Sequence, residues 1–147
     1  MKHRRLYRHF PFSVVLYDHS CVICRQEMQR LKKFDKKERL HLVDISDAKF
    51  SDEFWGFSQK TLNQVLHVRC SDGQWFTGMD AVRHVYQQVG LGWLWLPSQV
   101  PGLVGMSNLL YRLFARYRYA ISRLYLVIAG KPSHPECRDN ICMSKLR

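Results

Sequence analysis

No stretch of this 147-residue chain reaches the ~18 uninterrupted apolar residues that a membrane-crossing helix needs. The nearest approach, residues 91–110, is interrupted by Pro97 and Pro101, so no transmembrane segment is expected. Acidic residues are scarce: 12 Asp and Glu stand against 23 Lys and Arg, a formal net charge of +11. Such an excess favours acidic partners, nucleic acid or anionic lipid, but charge alone identifies none of them. Residues 1–9 carry Lys2, Arg4, Arg5 and Arg8 and no acid. This basic start imitates that of a secretory signal. The apolar stretch behind it is short, contains Pro11 and reaches Asp18 without a small-residue cleavage site, so a solvated arm is the expectation instead. The five cysteines are an odd number, which excludes a complete intramolecular disulfide framework. A reducing compartment, the cytoplasm, is expected, with at least one working pair. Internal repeats and low-complexity segments are absent.

What is present is enough apolar material for a core. Hydrophobic residues make up 46% of the chain and aromatics 13%, in a length suited to one domain. The most informative stretch is residues 13–28, SVVLYDHSCVICRQEM. The β-branched run Ser13-Val14-Val15-Leu16-Tyr17 reads as a buried strand. The polar turn Asp18-His19-Ser20 ends it. Cys21 and Cys24 then open a segment with helical periodicity, predicted over 21–34. Cysteines three apart at a helix start lie about one turn from each other, so their sulfurs can meet. The free N–H groups and partial positive charge of that helix end favour a thiolate at Cys21. Cys24, Met28 and Leu31 share one helix side, whereas Arg25, Gln26, Gln29, Arg30, Lys32 and Lys33 fall largely elsewhere. Cys24 is therefore expected on the buried stripe and Cys21 at the exposed tip, an attacking and a sheltered resolving thiol. A strand that feeds a Cys-x-x-Cys at a helix start is the thioredoxin-like redox arrangement.

Further along, residues 40–45 read as a second strand, which completes a βαβ unit with a right-handed crossover. Residues 46–56 look irregular, with Phe50, Phe54, Trp55 and Phe57 available to cover the sheet. Residues 58–64 suggest a short helix capped by Ser58. Residues 66–70 and 74–77 flank Ser71-Asp72-Gly73 and predict an antiparallel hairpin. Residues 80–89 carry Ala81, Val82, Val85, Tyr86 and Val89 at helical spacing. The order predicts an α/β, thioredoxin-like fold: a mixed four-stranded sheet (β-α-β, then β-β-α) with flanking helices. The Leu- and Trp-rich residues 91–96 should stop at Pro97, and Pro101-Gly102 should turn. Residues 107–128 predict a long amphipathic helix with an apolar stripe of Leu110, Leu113, Phe114, Tyr117, Ile121, Leu124 and Ile128, and with Arg112, Arg116 and Arg123 projecting elsewhere. That stripe suits packing on the domain or lying on a membrane surface; packing is the expectation. The chain thus divides into a basic arm (1–12), a thioredoxin-like core (13–90), a helical extension packed on the core (91–129) and an extended tail (130–147).

These residues resemble the DCC family of thiol-disulfide oxidoreductase-like proteins, named for an Asp and two Cys. The match runs through Tyr17-Asp18-x-x-Cys21-x-x-Cys24, Leu66-His67-Val68, Asp72-Gly73 and Gly78-Met79-Asp80-Ala81. It continues into Pro101-Gly102 and the Tyr111…Ala115-Arg116-x-Arg118 stretch, covering roughly residues 14–124. The resemblance implies a thioredoxin-like fold and redox use of Cys21 and Cys24; separately, no cofactor is expected. One departure from thioredoxins concerns the cis-proline before their third strand, whose neighbouring backbone pairs with substrate. Here Thr61-Leu62-Asn63-Gln64-Val65 precede Leu66 without a proline, which leaves the docking mode open.

The chemistry expected is disulfide exchange with a protein or small-molecule disulfide: Cys21 attacks and Cys24 resolves. The electron donor is not legible. Val22-Ile23 between the cysteines bring no charge, so no strongly oxidising potential is inferred, and a protonated His19 would favour the thiolate. Three roles are open to Asp18: proton acceptor for Cys24, acceptor of backbone N–H groups at the turn, or solvated turn residue. Arg116 and Arg118 read as a solvated helix face or a salt bridge. Two rival readings remain. Cys21 and Cys24 with Cys137, Cys142 and neighbouring His134 suggest a zinc site, although its halves lie far apart in sequence. Otherwise a tail disulfide or free thiols are expected at Cys137 and Cys142, and a buried thiol at Cys70. A non-enzymatic adaptor holding RNA or anionic lipid through its basic surface is the second rival.

Overall fold

A computed structural model describes residues 11–53 and 55–129. The elements follow in the order β1 (Ser13–Tyr17), α1 (Val22–Phe34), β2 (Leu40–Asp44), α2 (Gln59–Leu62), β3 (His67–Arg69), β4 (Trp75–Thr77) and α3 (Gly78–Gln88), then a 3-10 helix (Gly92–Gln99) and α4 (Leu103–Ala129). The four strands form one sheet in the order β2-β1-β3-β4. β1 runs parallel to β2, with Val15 opposite Leu42, and antiparallel to β3, with Val15 opposite Val68. β3 and β4 pair antiparallel across the Ser71-Asp72-Gly73 turn. This mixed sheet with flanking helices is a thioredoxin-like fold.

β1 is central, and its alternation feeds both faces. Val15 points into a cluster with Met28 and Leu31 of α1, Leu40, Val68, and Ala81, Val85 and Tyr86 of α3. Val14 and Leu16 point the other way, onto Ile45 and Leu62, where Phe50, Trp55, Phe57 and Trp75 close the layer. Phe50, Trp55 and Phe57 thus supply the aromatic cover that the composition of this segment suggests, while Phe54 lies outside the described residues. Each fully buried Val or Leu in these layers contributes about 1.5–3 kcal/mol. The two layers fix β1, and therefore the Asp18–Cys21 turn that leaves its end.

Local chemistry sets the element ends. Asp35 closes α1, and its carboxylate accepts the N–H groups of Arg39 (2.8 Å) and Leu40 (2.9 Å) and the Lys32 ammonium (3.0 Å). Burial alone would raise its pKa, but these bonds outweigh burial and hold it below the usual carboxylate range. Ser58 caps α2 as expected, accepting from the Thr61 N–H. Gly78, at φ +61°, turns the chain from β4 directly into α3, two residues earlier than its spacing suggests.

Two expectations for the extension fail. The Leu- and Trp-rich segment does not stop at Pro97 but continues through it as a 3-10 helix. Proline's fixed φ suits the helix, and its carbonyl still accepts the Val100 N–H at 3.3 Å. The apolar stripe read from residues 110–128 is not the face that packs. Leu110, Leu113, Tyr117, Ile121, Leu124 and Ile128 are all exposed. α4 instead turns inward Ala115, Arg118 and Ser122, with Tyr111 half-buried on the same side. The cause is what the domain offers this helix: a carboxylate, a free carbonyl and a free N–H, which polar side chains satisfy and leucines do not.

Candidate functional site

The site forms where the end of β1 meets the start of α1, beneath the middle of α4. Asp18 leaves β1 and accepts the Ser20 N–H at 2.9 Å and the Ser20 hydroxyl on Oδ1. This small loop brings Cys21 to the N-cap of α1 in an extended backbone conformation. The Cys21 sulfur does what a capping oxygen does elsewhere: it accepts the Cys24 N–H, with N and Sγ 3.4 Å apart. Cys24 lies one turn on, and its thiol is the group that most lowers the Cys21 pKa. Cys21, Cys24 and Cys70 are all free thiols.

The two thiols are driven apart electrostatically. The hydrogen bond from the Cys24 thiol is the largest influence on Cys21. Burial opposes it, but the Cys24 N–H, the Ser122 hydroxyl and the Arg118 charge reinforce it, and the Cys21 pKa falls to about 6. The Cys24 pKa rises, first because its proton is held by Cys21, then through burial and the negative charge developing beside it. Both shifts run in the direction that favours a thiolate at Cys21 beside a protonated Cys24. His19 takes no part in this. Burial lowers its pKa, and its Nδ1 sits 3.1 Å from the Tyr17 hydroxyl.

Exposure is the reverse of what the helical stripe suggests. Cys21 is fully buried (0% exposed), whereas Cys24 is half-buried. α4 is the cover: Ser122 Oγ lies 3.6 Å from the Cys21 sulfur. A residue 101 positions away leaves no trace in the local pattern of α1, so the sequence reading placed Cys21 at an open tip.

α4 is held there by a buried ion pair. Arg118 Nη2 lies 3.1 Å from Asp18 Oδ2 and 2.8 Å from the Asn63 carbonyl. Both partners are nearly inaccessible, Asp18 at 3% and Arg118 at 6%. The Tyr119 hydroxyl donates to the same Asp18 oxygen. With Ser20 on Oδ1 and Arg118 and Tyr119 on Oδ2, the carboxylate is fully engaged. Burial would raise its pKa, but these donors together lower it. Of the roles open to Asp18, backbone bonding at the turn is present, joined by the ion pair to Arg118. Arg116, its companion in the sequence motif, is exposed. Tyr119 and Ser122 escaped sequence reasoning altogether, since nothing distinguishes them from other polar residues of a solvated helix.

A second tie lies at the start of β3. The Leu66 N–H donates to the Tyr111 hydroxyl of α4 at 2.9 Å, and the Leu66 carbonyl accepts the Gly78 N–H at 2.9 Å. Both backbone groups of Leu66 are thus engaged, its N–H by α4 and its carbonyl by the start of α3. No cis peptide occurs among the described residues.

No group of three or more His, Cys, Asp or Glu side chains arranged to hold a metal occurs among the described residues. The tail half of the zinc reading, His134, Cys137 and Cys142, lies outside them. Cys70 is buried near His84, with sulfur and Nε2 3.4 Å apart. Its thiol is pushed up to about 11, by burial first, so it stays protonated.

The model of the DCC1-like thiol-disulfide oxidoreductase family matches residues 15–124. An uncharacterised chloroplastic protein of Arabidopsis thaliana is 31% identical over 121 residues, 81% of this chain and 53% of that protein. The chain thus spans about half the length of that relative. No solved structure matches it.

Proposed function

The chain belongs to the DCC1-like thiol-disulfide oxidoreductase family, and on that premise we propose that it exchanges disulfides through Cys21 and Cys24. The observation that carries the reading is geometric: the Cys21 sulfur caps the N-terminus of α1 and accepts the Cys24 N–H at 3.4 Å, with the second thiol one turn on, and the shifts, Cys21 down and Cys24 up, run the same way. The Cys21 thiolate attacks a substrate disulfide and forms a mixed disulfide, expelling one substrate thiolate. Cys21 then no longer carries charge, so the strongest influence holding the proton on Cys24 disappears. Cys24 gives that proton to solvent or to the departing thiolate and attacks the Cys21 sulfur. A Cys21–Cys24 disulfide forms, and the second substrate thiol leaves. Two electrons have passed to the substrate, and a dithiol or glutathione-class reductant returns the pair to its starting state.

In this reading Asp18 and Arg118 are positioning residues. They fix the turn before Cys21 and hold α4 over it. Arg118 also adds a positive charge near the thiolate. Because Ser122 covers Cys21, attack requires this part of α4 to yield, and the half-buried Cys24 side is the direction of approach. The substrate is a protein or small-molecule disulfide able to displace that cover. The test is a redox titration in glutathione buffers, with thiol trapping and peptide mass spectrometry. Cys21 and Cys24 should convert together at one potential, while Cys70 stays reduced. Independent oxidation of the two cysteines would reject the proposal.

A further inference from the structure

α4 has three distinct faces. One, with Ala115, Arg118 and Ser122, covers the cysteine pair. The opposite one carries Met106, Leu109, Leu113, Tyr117, Leu124 and Val127, all exposed, the last at 82%. Helical spacing puts Arg112, Arg116 and Arg123 together along one edge between these two faces. Trp93 of the preceding 3-10 helix is 65% exposed, and Leu96 beside it is exposed too. A continuous apolar face of this extent on a 27-residue helix is unusual for a surface left in water. The composition around it is equally one-sided, since no acidic residue occurs between Asp80 and Glu136.

From this we propose that the outer face of α4 is a docking surface for an anionic lipid bilayer. The helix would lie in the interface plane with its leucines in the acyl boundary and its arginine edge among the headgroups. Charge complementarity selects this occupant over a second copy. Pairing two such faces would bring two arginine edges together on chains that each carry +11, whereas anionic lipid neutralises them. Exposed Trp93, Tyr117 and Tyr125 suit the headgroup level, where amphipathic rings collect. α4 lies on the bilayer and does not cross it, because no helix among the described residues is long and apolar enough to span. At rest the inner face covers the cysteine pair, so docking through the outer face holds the site beside the membrane surface. The surface does not depend on the redox reading.

Vesicle co-sedimentation of the full chain tests this, with phosphatidylcholine vesicles with and without phosphatidylglycerol. Binding should need the anionic lipid and weaken with salt. Each of Arg112→Gln, Arg116→Gln and Arg123→Gln should lower partitioning about fivefold at low salt. Leu113→Glu with Leu124→Glu should abolish it, while the thiol reactivity of Cys21 stays at the wild-type value and reports an intact fold. Lipids brominated on the acyl chain should quench Trp93. Three results would overturn the proposal: equal binding to neutral vesicles, loss on arginine substitution with no effect of the leucine pair, or no vesicle binding together with a concentration-dependent dimer that Leu113→Glu dissociates.

Discussion

Replacing Cys24 with alanine removes the hydrogen bond that most lowers the Cys21 pKa and leaves the backbone N–H in place. In the wild type, a pKa of about 6 makes Cys21 about 90% thiolate at pH 7, against ~3% for a free thiol near 8.5. That thirtyfold gain is offset by a roughly tenfold loss of intrinsic nucleophilicity, with a Brønsted slope of about 0.4–0.5. The absolute rate at pH 7 is therefore a poor reporter and the midpoint a good one. A hydrogen bond to a charged group contributes about 1.5–3 kcal/mol. At about 1.4 kcal/mol per pKa unit, losing it shifts the midpoint up by about one to two units. Iodoacetamide labelling of reduced protein from pH 4 to 10, with Cys21 resolved by peptide mass spectrometry, should give a midpoint near 6 in the wild type and about 7 to 8 in Cys24→Ala. The same shift appears in stability. A lowered thiol pKa in the folded state stabilises fully above the free-thiol range, and the contribution is lost as pH falls towards about 6. Cys24→Ala should flatten that slope. An unchanged midpoint in the variant, or a wild-type midpoint above 8, would refute the reasoning.

Arg118→Gln leaves the Asp18 carboxylate buried without its cation and should cost about 3–5 kcal/mol in urea unfolding; a loss below about 1 kcal/mol would mean that the ion pair does not hold α4. Tyr111→Phe strands the Leu66 N–H, should cost about 1–3 kcal/mol, and should speed alkylation of Cys21 by a bulky maleimide more than by iodoacetamide. Asp35→Ala removes an acceptor used by two backbone N–H groups and Lys32. It should lower stability by at least about 2 kcal/mol without moving the Cys21 midpoint, as read by denaturant unfolding and alkylation together.

The core was legible because its signals are local. The β-branched run at Val14-Val15-Leu16, the Cys-x-x-Cys after it and the Asp72-Gly73 turn each specify their own geometry, and the strand order follows. Strand and helix ends shifted by a residue or two, as at Cys21, which caps α1 instead of beginning it. The extension was misread because amphipathicity reports how a helix is patterned and not which face meets the domain. Seven apolar residues outvoted Arg118 and Ser122, although the seat of α4 presents Asp18, the Asn63 carbonyl and the Leu66 N–H. The resemblance names Arg116 and Arg118 together, and only the position of Asp18 in space separates the two. The burial of Cys21 follows from the same contact, which joins residues a hundred positions apart.

The most direct measurement is capture of the mixed disulfide in the Cys24→Ala chain with 5,5′-dithiobis(2-nitrobenzoate). The account predicts one stable adduct on Cys21, found by peptide mass spectrometry, formed with a pH midpoint set by the Cys21 thiolate. In the wild type the adduct should resolve into a Cys21–Cys24 disulfide and release a second thionitrobenzoate. An adduct that forms as fast on Cys24 in Cys21→Ala, or a Cys21 that never takes up the probe, would contradict it.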